Sequence, residues 1–143
     1  MNPSFFEQLL GYLDLGVVNF RIDSTTIYLD CISNLSLGID TQTMKKSEKV
    51  VEIRQRTVRE MSILGKSVIL NIEVRKFKTS SGQYFWEELS MVRKGSHFTK
   101  RYETFIFESC KGSDMNRIAE QENLLLDSVL GIYHLYAKKN FQP

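Results

Sequence analysis

The stretch from Ser67 to Glu108 constrains this chain most. It reads SVILNIEVRKFKTSSGQYFWEELSMVRKGSHFTKRYETFIFE, three strand-like runs parted by two short, turn-rich gaps. In the first run Ile72 and Val74 alternate with Glu73 and Arg75, the spacing of a strand buried on one face. Thr79-Ser80-Ser81-Gly82 supplies turn chemistry. The second run, Tyr84 to Arg93, puts Phe85, Leu89 and Met91 on one face and Trp86, Glu88, Ser90 and Val92 on the other. Gly95-Ser96 marks the next turn, and Lys100 to Glu108 forms the third run. Short links between consecutive strands predict an antiparallel meander.

At 143 residues the chain has the size of one domain and can bury a real core. A net charge of +2 is too small to point to nucleic acid or an acidic membrane surface, and the basic residues are scattered. The pairs Lys45-Lys46 and Lys138-Lys139 read as solvated surface. No apolar run approaches the roughly 20 residues that span a bilayer. Asn2-Pro3-Ser4 leads into an amphipathic stretch and not into a secretory signal. Cys31 and Cys110 lack metal-type spacing and fit reduced thiols in a cytoplasm. With only His97 and His134 available, no metal site is predicted.

Taken in order, Ser4 and Glu7 make a capping box for a first helix carrying Phe5, Phe6, Leu9, Leu10 and Leu13, ended by Gly16. Val17 to Ile22 reads as a buried strand, Asp23-Ser24 as its turn, and Ile27 to Leu29 as a short second strand. Thr41 to Met61 is predicted to be a helix, with Val50, Val51, Val58 and Met61 as an imperfect stripe. Gly65 closes that segment. After Lys111-Gly112, Ser113 or Asp114 caps a last helix. There Met115, Ile118, Glu122, Leu125, Val129 and Ile132 recur at spacings of three and four, a heptad-like seam. Such a helix packs either on its own sheet or on a partner.

Glu7-Gln8-Leu9-Leu10 and Leu15-Gly16-Val17 recur as Glu122-Asn123-Leu124-Leu125 and Leu130-Gly131-Ile132, at a constant offset of 115 residues. The offset has the size of a small domain, so a truncated second copy, cut off near Phe141, is one reading. The chain would then be a piece of a longer tandem protein.

Enzyme signatures are missing: there is no GxGxxG, Walker loop, GxSxG or HExxH. Glu87 and Glu88 are adjacent in a strand and point to opposite faces, so they do not form an acid/base pair. The fragment is therefore expected not to be an enzyme, with Glu87 the one acid a small cone-shaped α+β enzyme could use.

The run EVRKFKTSSGQYFWEEL, followed by a third strand ending Phe105-Ile106-Phe107-Glu108, resembles the C-terminal half of a PAS domain. The resemblance implies an α+β fold: about five antiparallel strands, helices on one face, and a C-terminal signalling helix. It implies small helices over Asp30 to Asp40, a sensor domain over residues 1–112, and an exit helix with the start of a second repeat over 113–143. A pocket between sheet and helices would be lined by Ile72, Val74, Phe85, Glu87, Leu89, Met91 and Ile106, with Lys76 a partner for Glu87. Alternatively that core is filled and Glu87 sits at a solvated rim.

Trp86, Phe105 and Phe107 would lie on the outer sheet face and, with Met115, Ile118, Leu125 and Val129, carry homodimer contacts and the signal. The resemblance argues against flavin, because a reactive-cysteine motif is absent and Glu87 and Ile106 stand where flavin-binding amides would. It argues against haem, because Thr41 to Met61 holds no axial histidine; no cofactor is named. The implied function is cytoplasmic sensing in a bacterial two-component system. A small ligand or partner would be coupled to an output domain, a histidine kinase, in the same polypeptide, with no nucleic acid bound. A pure dimerisation module with a filled core is the alternative.

Overall fold

The computed structural model describes residues 2–140. It is α+β, with a mixed sheet and four helices, and its elements gather around two separate hydrophobic cores. The first helix, α1 (Pro3–Leu10), is shorter than the sequence suggested. Asn2, not Ser4, is its N-cap, accepting from the Ser4 amide, with Pro3 in the first turn where no N–H is missed. Gly11 at φ 70° ends it, well before Gly16.

The sheet begins with the hairpin β1 (Leu15–Ile22) and β2 (Thr26–Ser33), turned at Asp23-Ser24 as expected. Residues 30–40 hold no helix: β2 continues to Ser33, and β3 (Gly38–Ile39) pairs with β4 (Lys46–Ser47) in a small second sheet. The predicted helix over 41–61 is instead mostly a 14-residue strand, β5 (Val50–Ile63), paired antiparallel with β6 (Lys66–Lys78). Leu64 and Gly65, both at positive φ, form the two-residue turn whose twist suits such a hairpin. The helical reading failed because the first half of β5 is exposed on both faces, so Val50, Val51 and Ile53 never alternate cleanly with polar residues.

The order in the main sheet is β1-β2-β6-β5, with β7 (Tyr84–Trp86) also on β6. β2 runs parallel to β6, Thr26 beside Ser67 through Cys31 beside Ile72, so the sheet is mixed and not the antiparallel meander expected. Ile27, Leu29, Val68, Leu70, Ile72 and Val58 share one face and are buried against Phe6 and Leu10 of α1 and against Leu89, Met91 and Val92. Phe77 points the other way and is capped by the β3 backbone; a Cβ on Gly38 would lie 2.4 Å from its ring. That contact demands glycine.

Only Tyr84 to Trp86 of the second predicted strand is a strand, and residues 87–99 run as a loop. The third predicted strand is a helix, α2 (Lys100–Lys111). Thr99 caps it by accepting from the Tyr102 amide. Tyr102, Glu103, Ile106, Phe107 and Cys110 fall on its buried side. Then come α3 (Met115–Glu122), capped by Asp114 as anticipated, and α4 (Leu126–Asn140). The two segments that matched in sequence differ in structure: residues 15–17 lie in β1 and residues 130–132 inside α4. The expected cut-off near Phe141 lies outside the described residues.

Buried charge joins the cores. The Glu60 carboxylate on β5 accepts from the hydroxyls of Tyr12 and Thr99 and from the Met61 amide. The Tyr102 hydroxyl donates to Glu122 at 2.7 Å, and the Arg59 guanidinium lies 3.6 Å from the same carboxylate and 4.8 Å above the Tyr102 ring. Burial, followed by the hydrogen bond to a carboxylate, pushes the Tyr12 and Tyr102 hydroxyls well above the ordinary tyrosine range.

Two outcomes follow from this packing. Gly38→Ala is expected to cost roughly 1–3 kcal/mol in urea unfolding, because the Phe77 ring must move out of a filled site. Tyr12 and Tyr102 hold their protons more tightly folded than unfolded, so their contribution is intact below the ordinary tyrosine pKa of about 10 and is lost as pH rises beyond it. Urea midpoints measured from pH 8 to 11.5 should hold steady and then fall, with Tyr102→Phe showing a shallower decline. A flat profile for the native chain would sink this account.

Candidate nucleic-acid interface

The helical unit is built on a tight junction. At the end of α3, Asn123 takes left-handed backbone at φ 53°. Its amide reaches back to the Glu120 carbonyl, and the Leu124 amide to the Ala119 carbonyl at 2.9 Å. This is the paired capping pattern that stops a helix while satisfying its last carbonyls, and asparagine tolerates the conformation better than most residues. Leu124 then packs back near Ala119 in the same core. Within three residues the chain is aimed away, and α4 starts at Leu126.

Ile118 and Ala119 of α3, Val129 and Ile132 of α4, and Tyr102, Ile106 and Phe107 of α2 close the second core. Tyr133 and Tyr136 lie against the Phe107 ring, centroids 5.6 and 5.8 Å away. Two helices joined by a three-residue turn and braced by a third is a helix-turn-helix arrangement.

A buried carboxylate locks it. Glu103 of α2 is fully buried and accepts from the Arg93 guanidinium at 2.8 Å, the Ser96 hydroxyl at 2.9 Å and the Tyr136 hydroxyl at 2.9 Å. Every donor comes from outside α2, so one side chain fixes the loop before that helix and the far end of α4 together. Burial, then the bond to Glu103, lifts the Tyr136 hydroxyl to about 12, and the same carboxylate raises Arg93 further.

With Val129, Ile132 and Tyr136 turned inward, α4 leaves Asp127, Gly131, His134 and Lys138 exposed, with Leu130 half-buried beside them. Among the described residues nothing lies within 4 Å of a Cβ added at Gly131, so no packing among them requires glycine at this mid-helix position. An open groove of about 360 Å³ runs between this side of α4, at Asp127, Ser128 and Gly131, and the loop at Gly95, Ser96 and His97.

The side chains singled out from the sequence are dispersed by this fold. Ile72, Val74, Leu89 and Met91 are buried in the sheet core, whereas Ile106 lies in the helical core. Phe85 stacks on Phe77 at 5.5 Å. Glu87 is paired with Arg75, not Lys76, through two contacts of 2.9 Å, and it lines neither the groove beside α4 nor the one at Lys46, Lys49 and Lys78. Trp86 is half-buried under Arg54. Phe105 is exposed and Phe107 buried, both on α2 and not on a sheet face. Met115 is half-buried, Ile118 and Val129 are core, and Leu125 is exposed at the turn. The seam of Ile118, Val129 and Ile132 was recognised, but as one continuous helix; Asn123 breaks it.

Among the described residues no group of three His, Cys, Asp or Glu could hold a metal ion, and no helix is long and apolar enough to cross a membrane.

Residues 87–137, about a third of the chain, match the family model described as the helix-turn-helix domain of transposase family ISL3. No curated protein and no solved structure matches the chain. The match spans α2, α3 and α4, and it corrects the sequence reading. The PAS resemblance is overturned, and with it sensory signalling to a histidine kinase; a dimerisation module is not favoured either. The exclusion of nucleic acid falls too, because a helix-turn-helix domain is a DNA-binding device. That exclusion rested on the small net charge of the whole chain and on reading its basic residues as scattered, whereas ten of the 19 Lys/Arg fall within residues 45–78.

Proposed function

We propose that this chain binds double-stranded DNA as the DNA-binding part of a transposase, with α4 as the helix that enters the major groove, and that it binds without catalysing. The observation that carries the reading is the α3–turn–α4 junction at Asn123, inside the segment matched by the transposase helix-turn-helix model. In such units the second helix lies in a groove about 12 Å wide, which admits a helix of roughly 10–12 Å diameter. The reading fits a cytoplasmic location.

The chemistry of α4 suits shape more than dense hydrogen-bond readout. Leu130 offers an apolar surface for a thymine methyl group, His134 a ring N–H, and Asp127 an acceptor for a cytosine amino group. Gly131, open on the same side, lets DNA approach the helix backbone closely. The helix retains it although glycine in a helix interior costs about 0.5–1 kcal/mol relative to alanine.

That cost separates binding from folding. Gly131→Ala should raise thermal stability by about 0.5–1 kcal/mol. Gly131→Glu should fold as well as the native chain but bind a labelled duplex about tenfold or more weakly, because a carboxylate would face phosphates. If Gly131→Glu binds duplex DNA like the native chain, α4 is not the inserted helix.

A further inference from the structure

The helical unit has little charge with which to hold DNA. From Lys100 to Lys139 there are six Lys/Arg and six Asp/Glu. The excess lies elsewhere: residues 45–78 hold ten Lys/Arg against four Asp/Glu, an excess of six in a chain whose total is +2. Resting on the DNA-binding reading above, we propose that one face of the β5–β6 arm is a second DNA contact. It would hold the phosphate backbone beside the groove that α4 enters.

Register puts the relevant side chains together. Glu52 pairs with Lys76 and Arg54 with Val74 across β5 and β6, and Lys76 and Lys78 pair with Trp86 and Tyr84 of β7. Residues directly opposite share a face. Arg54, Lys76 and Lys78 therefore stand on one side with the two aromatic rings. None of these three cations has a carboxylate within salt-bridge distance among the described residues, whereas Arg75, on the other face, is neutralised by Glu87.

Cations lie over both rings. The Arg54 guanidinium lies 4.3 Å over Trp86, and the Lys76 and Lys78 ammonium groups lie 5.2 and 5.6 Å over Tyr84. An aromatic platform for single strands would present bare faces. Here the rings hold cations in place, which favours a rigid row of phosphate donors.

The row also leads to α4. Arg56, next on the same face, donates to the Ser96 carbonyl, and Ser96 lines the groove against Asp127 and Gly131. From Arg56 to the strand start at Val50 is roughly 20 Å at 3.4 Å per residue, about half a helical turn of DNA. At the far end an open groove of about 730 Å³ is lined by Lys46, Lys49 and Lys78 against one acid, Glu48.

The test is the salt dependence of binding to a labelled random-sequence 30-base-pair duplex, read by fluorescence anisotropy from 50 to 200 mM KCl. Circular dichroism would establish that each variant is folded. Replacing Arg54, Lys76 and Lys78 together by Gln should make the slope of log affinity against log salt shallower by about 2 to 3. Glu52→Lys, which adds charge to the same face and does not depend on surviving a loss, should steepen it by about 1. Unchanged slopes in both, with native-like binding, would overturn the arm contact while leaving DNA binding by α4 in place. A native chain that binds no duplex at 50 mM KCl would overturn both readings. An equally strong arm-dependent slope for single-stranded DNA but not duplex would also overturn the proposal, assigning the face to unpaired strands.

Discussion

The helical half of this molecule depends on Glu103. A carboxylate removed from water is costly unless every direction around it is occupied by donors. Arg93, Ser96 and Tyr136 provide them, arriving from the preceding loop and from the end of α4. Because the donors are spread along the chain, the carboxylate fixes positions that sequence separation would otherwise leave loose. Removing the acid would strand Arg93 and release the loop and α4 at once. Glu60 does the equivalent on the sheet side, where Tyr12 and Thr99 converge on it. Thr99 also caps α2, so the sheet anchors the start of the helix that bears Glu103.

Much of the sheet was legible in the sequence. Alternation in Ile72 and Val74, the turn at Thr79 to Gly82 and the Asp23-Ser24 hairpin all read correctly because burial on one face imposes period two. The failures have physical causes. β5 stays paired with β6 but is exposed for its first half, so its hydrophobic residues there need not alternate. The run KRYETFIFE alternates by accident, whereas Tyr102 and Ile106, four apart after Thr99 as a cap and with Glu103 in the first turn, carried the helical signal. Parallel pairing of β2 with β6 is a tertiary choice with no local mark.

The candidate site was harder to read than the fold. Ile118, Val129 and Ile132 were visible as an apolar seam, and the error lay in running it through Asn123. A single left-handed asparagine turns one signalling-type rod into two helices at an angle, with a different surface exposed. The basic face on β5 and β6 was invisible for another reason: net charge averages over the chain, and adjacency across strands appears only once register is known.

The strand order has an electrical consequence. Residues 2–44, which hold α1, β1, β2, β3 and their loops, carry one basic side chain, Arg21, against five acidic ones. The opposite edge of the sheet is β5, within the basic segment. The half of the fold built from α1, β1, β2 and their connecting loops is thus net negative, and the half built from β6 and β5 net positive, a dipole fixed in the frame of the fold. In the field of a polyanion such a body feels a torque before it touches anything, and it arrives with the β5–β6 half leading and the half holding α1, β1 and β2 trailing. Orientation would be settled at a distance of a Debye length, roughly 8 Å at physiological salt, and short-range contacts would inherit it.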